Sequence, residues 1–143
     1  MCIVSFIDMK NSRMNIQKDK IIGIGVDIES INRFKNIPFE VNEKFYERIF
    51  TPLEIEYCLK KKNMYSHFAG RFAAKEAVIK ALSKERKYFL SEIEIRNDDK
   101  GRPYLCFIDK SSNSNERNYF AENSLLSISH SSDYAIAFVI FLK

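Results

Sequence analysis

The 143-residue chain has no tryptophan, only two histidines and three cysteines, and only four glycines and three prolines. Each scarcity removes a class of function. His67 and His130, with Cys2, Cys58 and Cys106 and no Cys-x-x-Cys pair, do not supply the ligand spacing of a zinc site. An odd, scattered cysteine count builds no disulfide framework and points to a reducing compartment. Gly23-x-Gly25 has no third glycine at position 28, so the dinucleotide fingerprint fails, and no Gly-Lys-Ser/Thr loop exists to cradle a nucleotide triphosphate. There is no Gly-x-Ser-x-Gly elbow for a hydrolase nucleophile. The apolar runs, such as residues 134–142, fall well short of the roughly 20 residues that cross a bilayer, so no membrane partner is expected. Residues 1–20 carry a short apolar patch without a basic stretch ahead of it, a poor secretory signal. They read as an N-terminal extension, either a flexible tail or the stub of a targeting peptide. Lysine and arginine exceed aspartate and glutamate by 23 to 19, a net +4. That balance suits an acidic partner. No concentrated basic stripe accompanies it, so nucleic acid is not expected.

What remains is enough for one domain, residues 21–143, with 45% hydrophobic residues to form a core. Residues 22–29 alternate Ile22, Ile24, Val26 and Ile28 with Gly23, Gly25, Asp27 and Glu29, the period of a strand. This most apolar strand of the first half is expected to be central in its sheet. Ser30 is placed to cap a short helix to about residue 35, and a second helix covers residues 42–49. Thr51-Pro52-Leu53-Glu54 then combines an N-cap threonine, proline at the first helical position and glutamate at the third, the signature of a helix start. A long alanine-rich helix spans residues 66–82. Two hairpins follow, residues 91–96 with 104–108 and residues 125–129 with 134–141, separated by a polar loop over 111–118. The order predicts an α+β fold, a single domain with a mostly antiparallel sheet packed on a long helix.

The candidate chemistry sits on three of these elements. Asp27 and Glu29, two apart on a strand, share one side, and the glycines before them allow another group to approach closely. Glu76 borders the apolar stripe of the long helix, one turn before Lys80. Such a pair can be a simple helical ion pair; alternatively, Glu76 joins the strand acids in a Mg²⁺ site completed by substrate phosphates, with Lys80 as a mobile positive charge. Arg71 and Lys75 extend a basic face on the same helix. His130, in Ser129-His130-Ser131-Ser132, lies in a polar turn suited to a phosphate or ribose contact.

Five segments in register resemble the phosphopantetheinyl transferases, specifically the short holo-(acyl-carrier-protein) synthase type. They are Gly23-Ile24-Gly25-Val26-Asp27-Ile28-Glu29 with Arg33; Arg48-Ile49-Phe50-Thr51 with Glu54; residues 68–81, Phe-Ala-Gly-Arg-Phe-Ala-Ala-Lys-Glu-Ala-Val-Ile-Lys-Ala; Ile93-Glu94-Ile95 with Gly101-Arg102-Pro103-Tyr104; and Leu126-Ser127-Ile128-Ser129-His130-Ser131. The resemblance implies the 4′-phosphopantetheinyl transferase fold. It also implies transfer of 4′-phosphopantetheine from coenzyme A to a serine of apo-acyl carrier protein for fatty acid biosynthesis, releasing adenosine 3′,5′-bisphosphate. On the same basis Asp27 and Glu76 hold Mg²⁺, with Glu29 as a candidate third ligand, and Lys80 contacts the phosphates. Arg71, His130 and Ser131 bind the coenzyme A nucleotide or pyrophosphate, and Arg33 meets the carrier protein. A chain of one such unit implies a homotrimer with sites shared between neighbours, working in a bacterial cytoplasm or a plastid-like organelle. Two features depart from the short type: an acid at position 29, which resembles the larger surfactin-synthetase-type enzymes and their other carrier proteins, and a less basic segment after Arg33. A non-catalytic basic binding module and a hydrolase of nucleotide pyrophosphates stand as rival readings.

Overall fold

A computed structural model describes residues 20–108 and 114–143. The N-terminal extension expected over residues 1–20 lies almost wholly outside the described residues. Strand β1 (Ile21–Ser30) leads into helices α1 (Ile31–Lys35), α2 (Glu43–Glu47), α3 (Pro52–Leu59) and the long α4 (Met64–Ala81). The hairpin β2 (Ile93–Asn97) and β3 (Pro103–Phe107) follows, then helix α5 (Ser114–Glu122) and the hairpin β4 (Ser124–His130) and β5 (Tyr134–Leu142). Both sheets are antiparallel: three strands in the order β1-β5-β4, and the two-stranded β2-β3. The fold is α+β, with α4 lying across β1 and β5.

Several local expectations hold for stated physical reasons. Thr51 Oγ1 accepts from the Glu54 amide while Glu54 Oε2 accepts from the Thr51 amide, so α3 starts with a complete capping box. Gly101 takes φ +80° in the β2–β3 turn, a conformation that suits glycine. Three expectations are corrected. Ser30 precedes α1, but its side chain makes no capping bond. Of the polar stretch 111–118 expected to be a loop, residues 114–118 open α5, which the buried Phe120 anchors to the core, and residues 111–113 lie outside the described residues. Strand β1 is not central: β5 pairs on both sides, and β1 forms the edge.

The face that β1 buries also explains the helix packing. Beyond Ile22, which packs against the core, its glycines and acids face α4, while Ile24, Val26 and Ile28 are exposed. A Cβ on Gly25 would sit 1.8 Å from the Ala77 carbonyl oxygen, and one on Gly23 would sit 2.0 Å from that of Ala81. Backbone therefore touches backbone, which only glycine allows. On β5 the small residues continue the same floor: Ala137 packs with Ala73, Ala74 and Ala77 of α4, and Ala135 with Ala69 and Phe72. The opposite side of the sheet is left open, with Ile24, Val26, Ile28, Ile136 and Phe138 all exposed.

Candidate active site

Helix α4 divides the sequence-predicted residues between two flanks. On the β1 flank, Lys80 Nζ donates to Asp27 Oδ1 at 2.6 Å and to the Val26 carbonyl at 3.1 Å. Four residues back along the same ridge is Glu76, and four further back is Phe72. Phe72 carries the Arg33 guanidinium 5.1 Å from its ring centre, and Arg33 Nη1 donates to Glu29 Oε2 at 2.8 Å. The ridge Phe72–Glu76–Lys80 is thus tied at both ends to the strand positions 29 and 27. Glu76 lies in the interval between them. It is half-buried, and among the described residues its carboxylate has neither an ion pair nor a side-chain hydrogen bond. The simple Glu76–Lys80 helical pair is not formed; Lys80 turns to the strand. Both Glu29 oxygens are engaged, one by Arg33 and the other by the Ser30 amide.

The other flank holds the remaining candidates. His67 and Glu76 are nine residues, or two and a half turns, apart, so they point in opposite directions from the helix. His130 ends β4, at the rung Glu29–Ala135–His130, and its ring meets that of His67 edge-on at 6.1 Å. His67 meets Tyr57 at 5.7 Å, and the Arg71 guanidinium lies 3.8 Å from the Tyr57 ring centre. Arg71 Nη2 donates to Asn97 Oδ1 at 2.6 Å. Burial, then the positive charges of Arg71, Lys61 and His130, holds the His67 pKa down at about 4. His130, Ser131 and Ser132 border a cavity of roughly 530 Å³ that Lys35 and Lys62 also line. Arg71 stands two turns inside α4, away from the helix N-terminus, and is 4% exposed. Its Nε is buried without an acceptor among the described residues.

The basic face expected to include Lys75 does not exist. Lys75 is fully buried, paired with Glu54 Oε2 at 2.7 Å and donating to the carbonyls of Ile49 and Leu90. Burial pulls its pKa below the usual lysine range against the pull of Glu54. Glu54 also accepts from the Ile95 amide, and Thr51 Oγ1 donates to the buried Glu94. This interior network joins α3, α4 and β2. Sequence reasoning treated Glu54 as a helix cap alone. The adjacent signal was Glu94 between Ile93 and Ile95, an acid in an apolar strand. Cys58 is free, and burial pushes its thiol up to about 12, far from nucleophilic use. Tyr57 and His67 were also missed; neither belongs to a motif.

Asp27, Glu76 and Lys80 together offer two hard oxygen ligands and one mobile cation. No cluster of three or more histidine, cysteine, aspartate or glutamate ligands occurs among the described residues. Two carboxylates suit Mg²⁺, which keeps waters and takes phosphate oxygens for its other positions.

The chain is similar to known proteins over most of its length. Residues 23–139 match the family model described as the 4′-phosphopantetheinyl transferase superfamily. The holo-(acyl-carrier-protein) synthase of Halothermothrix orenii is 41% identical over 84% of this chain and 96% of its own length. That of Thermodesulfovibrio yellowstonii is 42% identical over 84% and 97%. Among solved structures, a holo-(acyl-carrier-protein) synthase from Bacillus anthracis in complex with CoA (3′,5′-ADP) superposes with TM-score 0.63 at 36% identity, covering 87% of this chain and 98% of that one. The Helicobacter pylori enzyme in complex with coenzyme A superposes with TM-score 0.66 at 33% identity, covering 84% and 99%.

Proposed function

The chain belongs to the 4′-phosphopantetheinyl transferase superfamily, and from that premise we propose how its residues divide the work of a holo-(acyl-carrier-protein) synthase. The reaction moves 4′-phosphopantetheine from coenzyme A to a serine of apo-acyl carrier protein, in service of fatty acid biosynthesis. The serine oxygen bonds to the phosphorus that bears the pantetheine, and its hydroxyl proton is released to solvent. The bond from that phosphorus to the pyrophosphate bridging oxygen breaks, and adenosine 3′,5′-bisphosphate leaves with the electron pair.

The observation that carries the assignment is the Asp27–Lys80 contact beside a Glu76 with no partner among the described residues. Asp27 and Glu76 would hold Mg²⁺, which when bound neutralises pyrophosphate charge and polarises the attacked phosphorus. Lys80, with half of its side chain exposed, is free to swing from Asp27 to a phosphate oxygen. Both Glu29 oxygens already accept bonds, one from Arg33 and one from the Ser30 amide, so Glu29 orients Arg33 toward the carrier protein in preference to serving as a third ligand. On the far flank, Arg71, His130 and Ser131 bind the nucleotide end of coenzyme A. The buried Arg71 Nε, lacking an acceptor, is a donor suited to phosphate.

Because α4 stands between the flanks, one coenzyme A cannot run directly from one to the other within a single copy. A homotrimer in which neighbouring copies contribute opposite flanks resolves this. The open apolar face of β1 and β5 is where copies would meet. Incubation with coenzyme A, Mg²⁺ and apo carrier is expected to add the phosphopantetheine mass to the carrier serine. Mixing Glu76→Gln with Arg71→Ala chains is expected to restore part of the activity that each lacks alone. An Arg71→Ala chain that recovers nothing from its complement would place both flanks in one copy.

A further inference from the structure

Asn97, Arg71, Tyr57, His67 and His130 form an unbroken row of touching side chains along the β4 flank of α4. It runs from the β2–β3 turn to the β4–β5 turn. Its two outer members of interest, Arg71 and His130, are the residues read above as holding the coenzyme A nucleotide. The two between them, Tyr57 and His67, come from α3 and α4 and carry no assigned role. We propose that Tyr57 and His67 are positioning residues for the nucleotide: they set the spacing and ring orientation of Arg71 and His130 by contact and do not touch coenzyme A themselves. The inference rests on that reading of Arg71 and His130.

Three observations support it. The contacts are directional: His67 meets Tyr57 and His130 at interplanar angles of 74° and 67°, so each ring edge is aimed at its neighbour's face. Tyr57 offers its ring to two cations, Arg71 at 3.8 Å and Lys61 at 4.5 Å from the ring centre, and holds Arg71 against a rigid surface. Third, His67 stays neutral among Arg71, Lys61 and His130. A neutral imidazole can sit edge-on to His130 without repelling it. A cation in its place would push His130 out of the row.

The test is steady-state kinetics of the full-length enzyme with coenzyme A and apo carrier protein varied separately. His67→Ala and Tyr57→Ala are expected to raise KM for coenzyme A about three- to tenfold, with kcat and the carrier KM within about twofold. His67→Phe and Tyr57→Phe, which keep the ring contacts, are expected to restore the wild-type KM. Alanine variants with an unchanged coenzyme A KM, or phenylalanine variants as impaired as the alanine ones, would overturn the inference. Should His67→Ala lose its folded circular-dichroism spectrum, the coenzyme A Kd of Tyr57→Ala against Tyr57→Phe by calorimetry decides it. Arg71→Ala and His130→Ala serve as the reference arm. If these two leave the coenzyme A KM unchanged, the reading of the nucleotide site has failed. If they raise it and the inner pair does not, only the positioning role has failed.

Discussion

Lys75 and Glu76 are neighbours in sequence and opposites in environment. Lys75 enters the interior, where Glu54 and two carbonyls satisfy it completely. Glu76 is half-buried and has no partner among the described residues. The same contrast separates the two lysine–carboxylate pairs of α4. Lys75–Glu54 is dry on both sides, while Lys80–Asp27 leaves Lys80 half exposed. A charged pair with every valence filled and no water is scaffold, because moving either partner leaves a buried charge alone. A pair in reach of solvent, with spare oxygens beside it, can exchange partners, which phosphate chemistry requires.

Substitutions sharpen this contrast. The largest effect expected is on Glu76→Gln: kcat/KM falls by about three orders of magnitude while the thermal unfolding curve stays in place. An unfolding midpoint that drops with activity would move Glu76 into the scaffold class. Lys75→Met is expected to do the reverse. It strands Glu54 and costs about 3–5 kcal/mol of stability, read from urea titration. Gly25→Ala forces a methyl into the Ala77 carbonyl and is expected to cost about 2–3 kcal/mol, with activity falling as β1 and α4 separate. The smallest effect concerns pH. His67 has its pKa held at about 4 against an ordinary value of 6.5. Between those values the unfolded chain takes up a proton that the folded chain refuses, so stability is present above pH 6.5 and declines as pH falls toward 4. Arg71 on α4, Tyr57 on α3, Lys61 after α3 and His130 on β4 all face the ring. His67→Phe is expected to flatten that part of the midpoint-versus-pH curve.

Much of the β1 flank of α4 was legible in the sequence. Strand alternation put Asp27 and Glu29 on one side, the glycines forecast close packing, and helical spacing put Glu76 one turn from Lys80. What misled was the inference that so apolar a strand must be central in its sheet. In β1, Ile24, Val26 and Ile28 are exposed, and glycine lets the helix settle on the thin side. That reversal also placed β1 at the sheet edge, because the long apolar strand β5 could bury its alanines and pair on both sides. Lys75 was misjudged because a lysine in a row with Arg71 and Lys80 looks solvated. Only the tertiary position of Glu54 and two carbonyls makes its burial tolerable. The Tyr57–His67 contacts were invisible because they join residues on two helices through ring geometry, which has no sequence period.

The glycine seam between β1 and α4 has a consequence for how the enzyme ages under mutation or heat. Where side chains fill a gap, they can re-pick rotamers and let two elements drift. Here main-chain atoms of strand and helix rest against each other, so the offset between the strand acid and the helix acid is gauged by peptide groups, the least compressible spacer a protein has. Core repacking elsewhere is expected to lower the melting temperature well before it detunes the reach between those two carboxylates.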